Sequence, residues 1–150
     1  MARVVTFLVG IPGSGKSTCA VGLGLPVVSS DRIREEITGS RRDTSREEDV
    51  WRRFWQLVGE NLRCGKDVVI DSTNTNPPRR EKDVARCYEL GASQVVVYWL
   101  DVPLNTCLRR NALRDDPIPE VDIRKMHARL VASPPTTSLG GITQVTRTGL

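Results

Sequence analysis

Residues Gly10-Ile11-Pro12-Gly13-Ser14-Gly15-Lys16-Ser17-Thr18 combine types and spacing that suit one chemistry, the binding of polyphosphate. They satisfy G-x-x-x-x-G-K-[ST] and follow directly on the apolar run Val4 to Val9. A strand that runs into a glycine loop and then a helix points successive backbone N–H groups, and the positive end of the helix dipole, at one small volume. Gly13 and Gly15 permit backbone angles and a close approach that side chains would block. Lys16 can reach the β- and γ-phosphates and the Ser17 hydroxyl can ligate Mg²⁺, so Gly13, Ser14, Gly15, Lys16, Ser17 and Thr18 are the expected contacts to ATP or another nucleoside triphosphate.

Phosphoryl transfer asks a protein for positioning and charge neutralisation more than for covalent help. Beyond a phosphate cradle and a metal ligand, it needs a base for the acceptor and cations over the transferred group. Asp31 and Asp71 compete for the role of base, each leaving the end of an expected strand. Arg34 follows Asp31 on the same helical face, so one residue can hold an acceptor hydroxyl while the other grips an anion attached to that acceptor. That pairing favours Asp31; the plainer alternative is a helix cap beside a surface arginine. Asp71 reads as a carboxylate that orients the Mg²⁺ water shell or the acceptor, or as a purely structural group. Arg110 and Arg114 fall on one helix face near Asp115-Asp116-Pro117, where a lid could carry them over the β- and γ-phosphates; otherwise they form a solvated basic face. Arg109 points elsewhere, and His127, the only histidine, reads as surface or packing.

These residues need a scaffold that brings strand ends together. Val4 to Val9 lacks strict alternation and is β-rich, as expected of a strand covered on both faces. A short helix from about Ser14 ends near Gly22, and Val27-Val28-Ser29 forms a second strand that delivers Asp31 to the loop's edge of the sheet if the crossover is right-handed. Residues 39–44 read as a mobile polar loop. Ser45 is the expected N-cap of the longest helix, in which Val50, Phe54, Leu57, Val58 and Leu62 recur at helical spacing; Trp51 and Trp55 on its flank are expected to pack against the core, the alternative being to stack on bases. Asp67 to Asp71 is the third strand, Asn76 and Pro77 open the next helix, and Gln94 to Leu100 is the fourth strand. Pro103 starts a helix that carries Arg109, Arg110 and Arg114 in its last turns, Pro119 starts another on Ile123, Met126 and Leu130, and Ile142 to Val145 is a candidate edge strand. The alternation implies one three-layer α/β domain over residues 1–150, with a mostly parallel central sheet of four to five strands and a helical lid. Ligands of such sheets bind at the carboxyl ends of the strands, so the loop, Asp31 and Asp71 should share a cleft.

Bulk properties agree and narrow the field. A chain of 150 residues with 39% hydrophobic and 27% charged residues is globular, and an aromatic content of 5% argues against recognition by many stacked bases. A net charge of +4 is compatible with an anionic partner and decides little by itself. Cys19, Cys64, Cys87 and Cys107 show no metal or disulfide spacing, which fits buried reduced thiols. No run is long enough to span a membrane, and the expected location is cytoplasmic.

Together, the loop, Ser30-Asp31-Arg32-Ile33-Arg34, Asp71-Ser-Thr-Asn-Thr-Asn-Pro-Pro-Arg-Arg80, Arg109-Arg-Asn-Ala-Leu-Arg114 and Ile118-Pro119 resemble the kinase domain of 5′-OH polynucleotide kinases. The resemblance implies that Asp31 is the general base for the 5′-OH of a DNA or RNA end, that Arg34 contacts an acceptor phosphate, and that Arg110 and Arg114 clamp the donor phosphates. No D-x-D-G-T motif is present, so the 3′-phosphatase of larger end-healing members is not expected. Arg41, Arg42 and Arg46 either meet nucleic acid phosphates or are solvated. The donor base is expected between the lid helix and the stretch from Ser133 to Gly141. The alternatives are a kinase of a small-molecule hydroxyl (sugar, nucleoside or antibiotic) and a nucleotide-dependent switch; against the switch, the chain lacks N-K-x-D and has Asp31 and Arg34.

Overall fold

A computed structural model describes residues 3–137 and 141–149 of the chain. Its centre is β1 (Val4–Val9), buried from Val5 onward, as its unbroken apolar character requires. It pairs in parallel with β3 (Val68–Asp71) on one side and β4 (Gln94–Leu100) on the other. The short β2 (Val27–Ser29) and β5 (Ile142–Thr148) close the edges, giving a five-stranded sheet in the order β2-β3-β1-β4-β5 with every pairing parallel. β5 runs past the expected end at Val145 because its pairing with β4 extends to Leu100 opposite Thr148. Its exposed polar positions hid that length, since an edge strand needs ladder bonds more than an apolar face.

Six helices connect these strands among the described residues: α1 (Lys16–Gly22), α2 (Ser30–Thr38), α3 (Glu47–Arg63), α4 (Pro77–Glu89), α5 (Leu104–Ala112) and α6 (Glu120–Ala132). Alternation along β1 divides the core. Val5, Phe7 and Val9 join a large cluster with Phe54, Val58 and Leu62 of α3 and Val84 and Cys87 of α4. Leu8 turns the other way and packs with Val69 against Ala20 of α1. Phe54 is almost fully buried, so truncating it to alanine should cost about 3–5 kcal/mol.

Four local expectations are corrected. α1 starts at Lys16 rather than Ser14 because Gly15, at φ +90°, is still left-handed and caps the helix. Ser45 does not cap α3: its N–H donates to Asp43 Oδ1, Arg46 occupies the cap position, and Glu47, Glu48 and Asp49 in the first turn offset the missing side-chain bond through the helix dipole. α5 ends at Ala112 with Leu113 as its C-cap, so Arg114 lies beyond the helix and shares no helical face with Arg110. All four thiols are free as expected, but only Cys87 and Cys107 are buried, while Cys64 is exposed at the end of α3. Trp55 packs into the core as expected, and Trp51 is only half-buried. No helix among the described residues is long and apolar enough to cross a membrane.

Candidate active site

The sheet register sets Leu8 opposite Asp71 and Asp71 opposite Ser29, so β1, β3 and β2 end in one row. Whatever follows each strand therefore meets at one edge, where a cleft of about 830 Å³ opens. Past β1 comes the glycine loop. Gly13, at φ +86°, is pressed against α5: a Cβ there would lie 2.6 Å from the Cys107 carbonyl oxygen. The space beyond Gly15 is open on the same test, which leaves room where phosphate oxygens would meet the N–H groups at the start of α1. Gly15, Lys16, Ser17 and Thr18 line the cleft with Gly13. Ser14 does not; it is buried behind the loop with its hydroxyl unpartnered.

Lys16 is half-buried and places Nζ 3.4 Å from the Ile11 carbonyl. Its pKa is lowered from the usual lysine value, first by desolvation, against the opposing pull of Asp71 and then Asp31. A desolvated ammonium facing an open cleft is poised for an anion. Beside it the Ser17 hydroxyl donates to Asp71 Oδ2 at 3.1 Å. A hydroxyl and a carboxylate are hard oxygen donors, and no group of three or more acidic, histidine or cysteine side chains gathers as a closed cage among the described residues. This donor set fits Mg²⁺, which keeps most of its water and arrives bound to nucleotide phosphates.

Past β2 comes Asp31, in the first turn of α2, where Ser29 rather than Asp31 is the cap: its hydroxyl accepts from Arg32 N–H. Arg34 Nη1 donates to Asp31 Oδ1 at 2.8 Å, and Nε and Nη2 donate to the two carboxylate oxygens of Glu47 at 2.8 and 2.7 Å. Nη1 also reaches the Arg41 carbonyl at 3.4 Å, so four of the five guanidinium N–H groups are engaged. The fork to Glu47 is the main reason the Arg34 pKa is raised above the arginine value, against its desolvation. Asp31 remains 43% exposed at its side chain, while Arg34 is 10% exposed, so the arginine is the fixed member. Among the described residues, Asp31 Oδ2 has only Arg42, at 3.9 Å. Arg41 and Arg42 line the cleft, whereas Arg46 pairs with Asp49.

The lid side is built on Asn111, a buried residue of α5 for which the sequence suggested no role. Its side-chain amide donates to the Ile118 carbonyl at 2.8 Å and accepts from Ile118 N–H at 3.0 Å, closing the turn that carries Arg114 into the cleft. Arg110 does not line the cleft; its Nη1 donates to the Gly13 carbonyl at 3.1 Å and ties α5 to the back of the loop. His127 lies outside the cleft.

The segment after β3 is anchored by a second unanticipated set. Asn74, at φ +53°, donates from Nδ2 to the Leu8 carbonyl at 2.8 Å, and Gly10 N–H donates to the Thr73 carbonyl. Asparagine tolerates this left-handed backbone better than most residues. The buried Arg80 donates to the carbonyls of Asn74 and Ser133, joining this segment to the end of α6; desolvation holds its pKa below the usual value. Of the stretch expected to meet the donor base, residues 138–140 lie outside the described residues.

A glycine-loop phosphate cradle at the carboxyl edge of a parallel sheet, facing a carboxylate across one cleft, defines a P-loop phosphotransferase. Residues 5–133 match the family described as AAA domain, and the chain belongs to that family, in its P-loop kinase form. It is similar to L-seryl-tRNA(Sec) kinase of Methanococcus maripaludis, at 28% identity over 84% of this chain and 52% of the relative. It is also similar to a protein of Autographa californica nuclear polyhedrosis virus named "Putative bifunctional polynucleotide kinase/RNA ligase", at 27% identity over 79% of this chain and 19% of that one. Among solved structures, one chain of the Pnkp1/Rnl/Hen1 RNA repair complex superposes with a TM-score of 0.77 and 25% identity, over 87% of this chain and 45% of the other. The chain thus spans about half, or less, of the length of these relatives.

Proposed function

We propose that this domain transfers the terminal phosphate of ATP or another nucleoside triphosphate to the 5′-hydroxyl end of DNA or RNA. The observation that carries the reading is the Asp31 carboxylate, fixed through Oδ1 by Arg34 and facing Lys16 and Ser17 across one cleft. A base so placed can offer its other oxygen, which Arg42 approaches only to 3.9 Å, to an incoming hydroxyl. In the transfer, the acceptor oxygen bonds to the γ-phosphorus as the bond to the β–γ bridging oxygen breaks. The hydroxyl proton passes to Asp31 Oδ2, and the nucleoside diphosphate leaves.

Lys16 and Arg114 neutralise charge on the β- and γ-oxygens, and Arg110 holds the loop's shape from behind. Ser17, and Asp71 through water, would hold Mg²⁺, which would supply further charge neutralisation. Arg34 acts first by positioning Asp31, with one Nη2 N–H left for an acceptor phosphate. The similarity to the RNA repair structure and to the viral polynucleotide kinase/RNA ligase relative supports a polynucleotide end as acceptor. The seryl-tRNA relative favours a second reading, in which the hydroxyl belongs to a seryl group or another small alcohol.

The test is γ-phosphate transfer to single- and double-stranded 5′-OH oligonucleotides, seryl-tRNA, nucleosides and sugars. Transfer to oligonucleotide 5′ ends that disappears in Asp31→Asn supports the proposal. Transfer to seryl-tRNA or a small alcohol alone overturns it in favour of the second reading, and loss with Asp71→Asn but not Asp31→Asn reverses the assignment of the base.

A further inference from the structure

α3 and α4 are bridged by cation–π contacts and frame a surface beside the active site. On α3, Trp51 and Trp55 stand one turn apart. On α4, Arg79, Lys82 and Arg86 recur at the spacing that keeps them on one face. A groove of about 720 Å³ runs between the helices, lined by both tryptophans and these three cations. Trp51 also lines the active-site cleft together with Asp31 and Arg34, so the groove begins where the cleft wall ends.

The guanidinium of Arg79 lies 4.0 Å from the centroid of the Trp51 ring, and that of Arg86 lies 5.1 Å from Trp55. Each guanidinium therefore sits within cation–π reach of an indole, with N–H groups to offer a phosphate. Two carboxylates share the groove, Asp83 and Glu89. Asp83 is tucked in, 15% exposed against 49% for Arg79, from which it lies 3.7 Å away, and its pKa is raised by desolvation. Glu89 stands at the end of α4, away from Arg79 and Trp51. The surface offered to a ligand next to the cleft is thus cationic. From Arg79 to Arg86 the helix advances about 10 Å, against roughly 3.4 Å of rise per nucleotide along one strand, enough to meet more than one phosphate.

We propose that the α3–α4 groove binds the single strand that continues from the accepting 5′ end, its phosphates running along Arg79, Lys82 and Arg86. The inference rests on the polynucleotide reading above and names how that acceptor is held beyond its terminal nucleotide. Phosphate contacts carry the affinity, in keeping with the few aromatic residues of the chain, and sequence plays little part.

The decisive measurement is fluorescence anisotropy of a 5′-phosphorylated single strand of about a dozen nucleotides, titrated with the wild-type chain, with Lys82→Ala/Arg86→Ala, and with Lys66→Ala. Lys66 is an exposed control at the opposite, amino-terminal end of β3. Removing two phosphate contacts should weaken binding about tenfold or more and reduce the slope of log K against log salt by about 1.4, with Lys66→Ala unchanged. With a 5′-OH strand of the same length as acceptor, KM should rise at constant kcat, while a nucleoside 3′-monophosphate should show no change in either.

Unaltered affinity and salt slope in the double variant overturn the proposal, as does an equal loss with the mononucleotide acceptor. Lys82→Glu alone, at an exposed position, decides the matter if the double variant melts early. A wild-type chain that phosphorylates no 5′-OH strand refutes the functional reading instead, and the binding titration still decides the groove.

Discussion

Arg34 and Glu47 face each other as a two-bond fork, Nε to Oε2 at 2.8 Å and Nη2 to Oε1 at 2.7 Å, and the same guanidinium holds Asp31. Glu47 therefore aims the base without touching substrate. Glu47→Ala should free Arg34 to rotate and lower kcat by about tenfold to a hundredfold, because misplacing a reacting group costs rate steeply. Glu47→Gln keeps one acceptor oxygen and should retain more activity. Arg34 is nearly buried and Glu47 is 35% exposed, so Glu47→Ala should also destabilise the fold by about 1–3 kcal/mol, read by urea unfolding. Equal kcat in wild type and Glu47→Ala would remove Glu47 from any positioning role.

Lys16 predicts the opposite relation between stability and activity. Its folded pKa lies below the unfolded 10.5, so the charged form is disfavoured in the fold. Between those two pKa values the unfolded chain binds more protons, and stability rises with pH. Below that window the penalty is fully present. Lys16→Met should raise the melting temperature of the ligand-free protein near neutral pH and flatten the alkaline rise, while reducing transfer by about a hundredfold or more. Calorimetry across pH, paired with a γ-phosphate assay, checks both halves.

How far this site could be read from the chain depended on the range of each interaction. The cradle was legible because Gly13, Gly15, Lys16 and Ser17 act through consecutive backbone, and Asp31 and Asp71 because each ends a β-rich run whose register follows from parallel pairing. Glu47 is one of three acids in the first turn of α3; its partner sits across the polar loop, and no periodicity links the two. Arg114 was assigned to α5 because the four-residue spacing from Arg110 mimics a helical turn, but the chain leaves the helix at Leu113. An asparagine before a proline-rich turn was the available sign of Asn111, and it names no partner. The edge strand was read short for the related reason that ladder hydrogen bonds leave no apolar signature.

Three of the thiols should separate cleanly by reactivity. Burial pushes the Cys87 thiol up to about 12, Cys107 is also raised chiefly by desolvation, and Cys64 is exposed. A disulfide reagent at neutral pH should modify Cys64 rapidly and leave Cys87 and Cys107 untouched until the protein unfolds. Because the folded pKa of Cys87 lies above its unfolded value, its linkage runs opposite to that of Lys16: its contribution is intact below about pH 9 and is lost as pH rises toward 12. Cys87→Ala should remove that alkaline loss, measured as the shift of the urea midpoint between neutral and alkaline buffer.

Asn111 tests whether the turn after α5 works as a unit. Its amide both donates to and accepts from Ile118, so it fixes the loop ends from which Arg114 reaches the cleft. Asn111→Ala leaves the half-buried N–H and carbonyl of Ile118 without that partner, at a cost of about 1–3 kcal/mol. The turn should then loosen and Arg114 lose its fixed approach to the donor phosphates. Asn111→Ala should accordingly reproduce a substantial part of the kcat loss of Arg114→Ala, and the double variant should be little worse than Arg114→Ala alone, since both changes act through one guanidinium. Additive losses in that double-mutant cycle would show that Asn111 serves stability only. Asn111→Asp, which retains the acceptor for Ile118 N–H but not the donor, should fall between wild type and Asn111→Ala in both melting temperature and turnover.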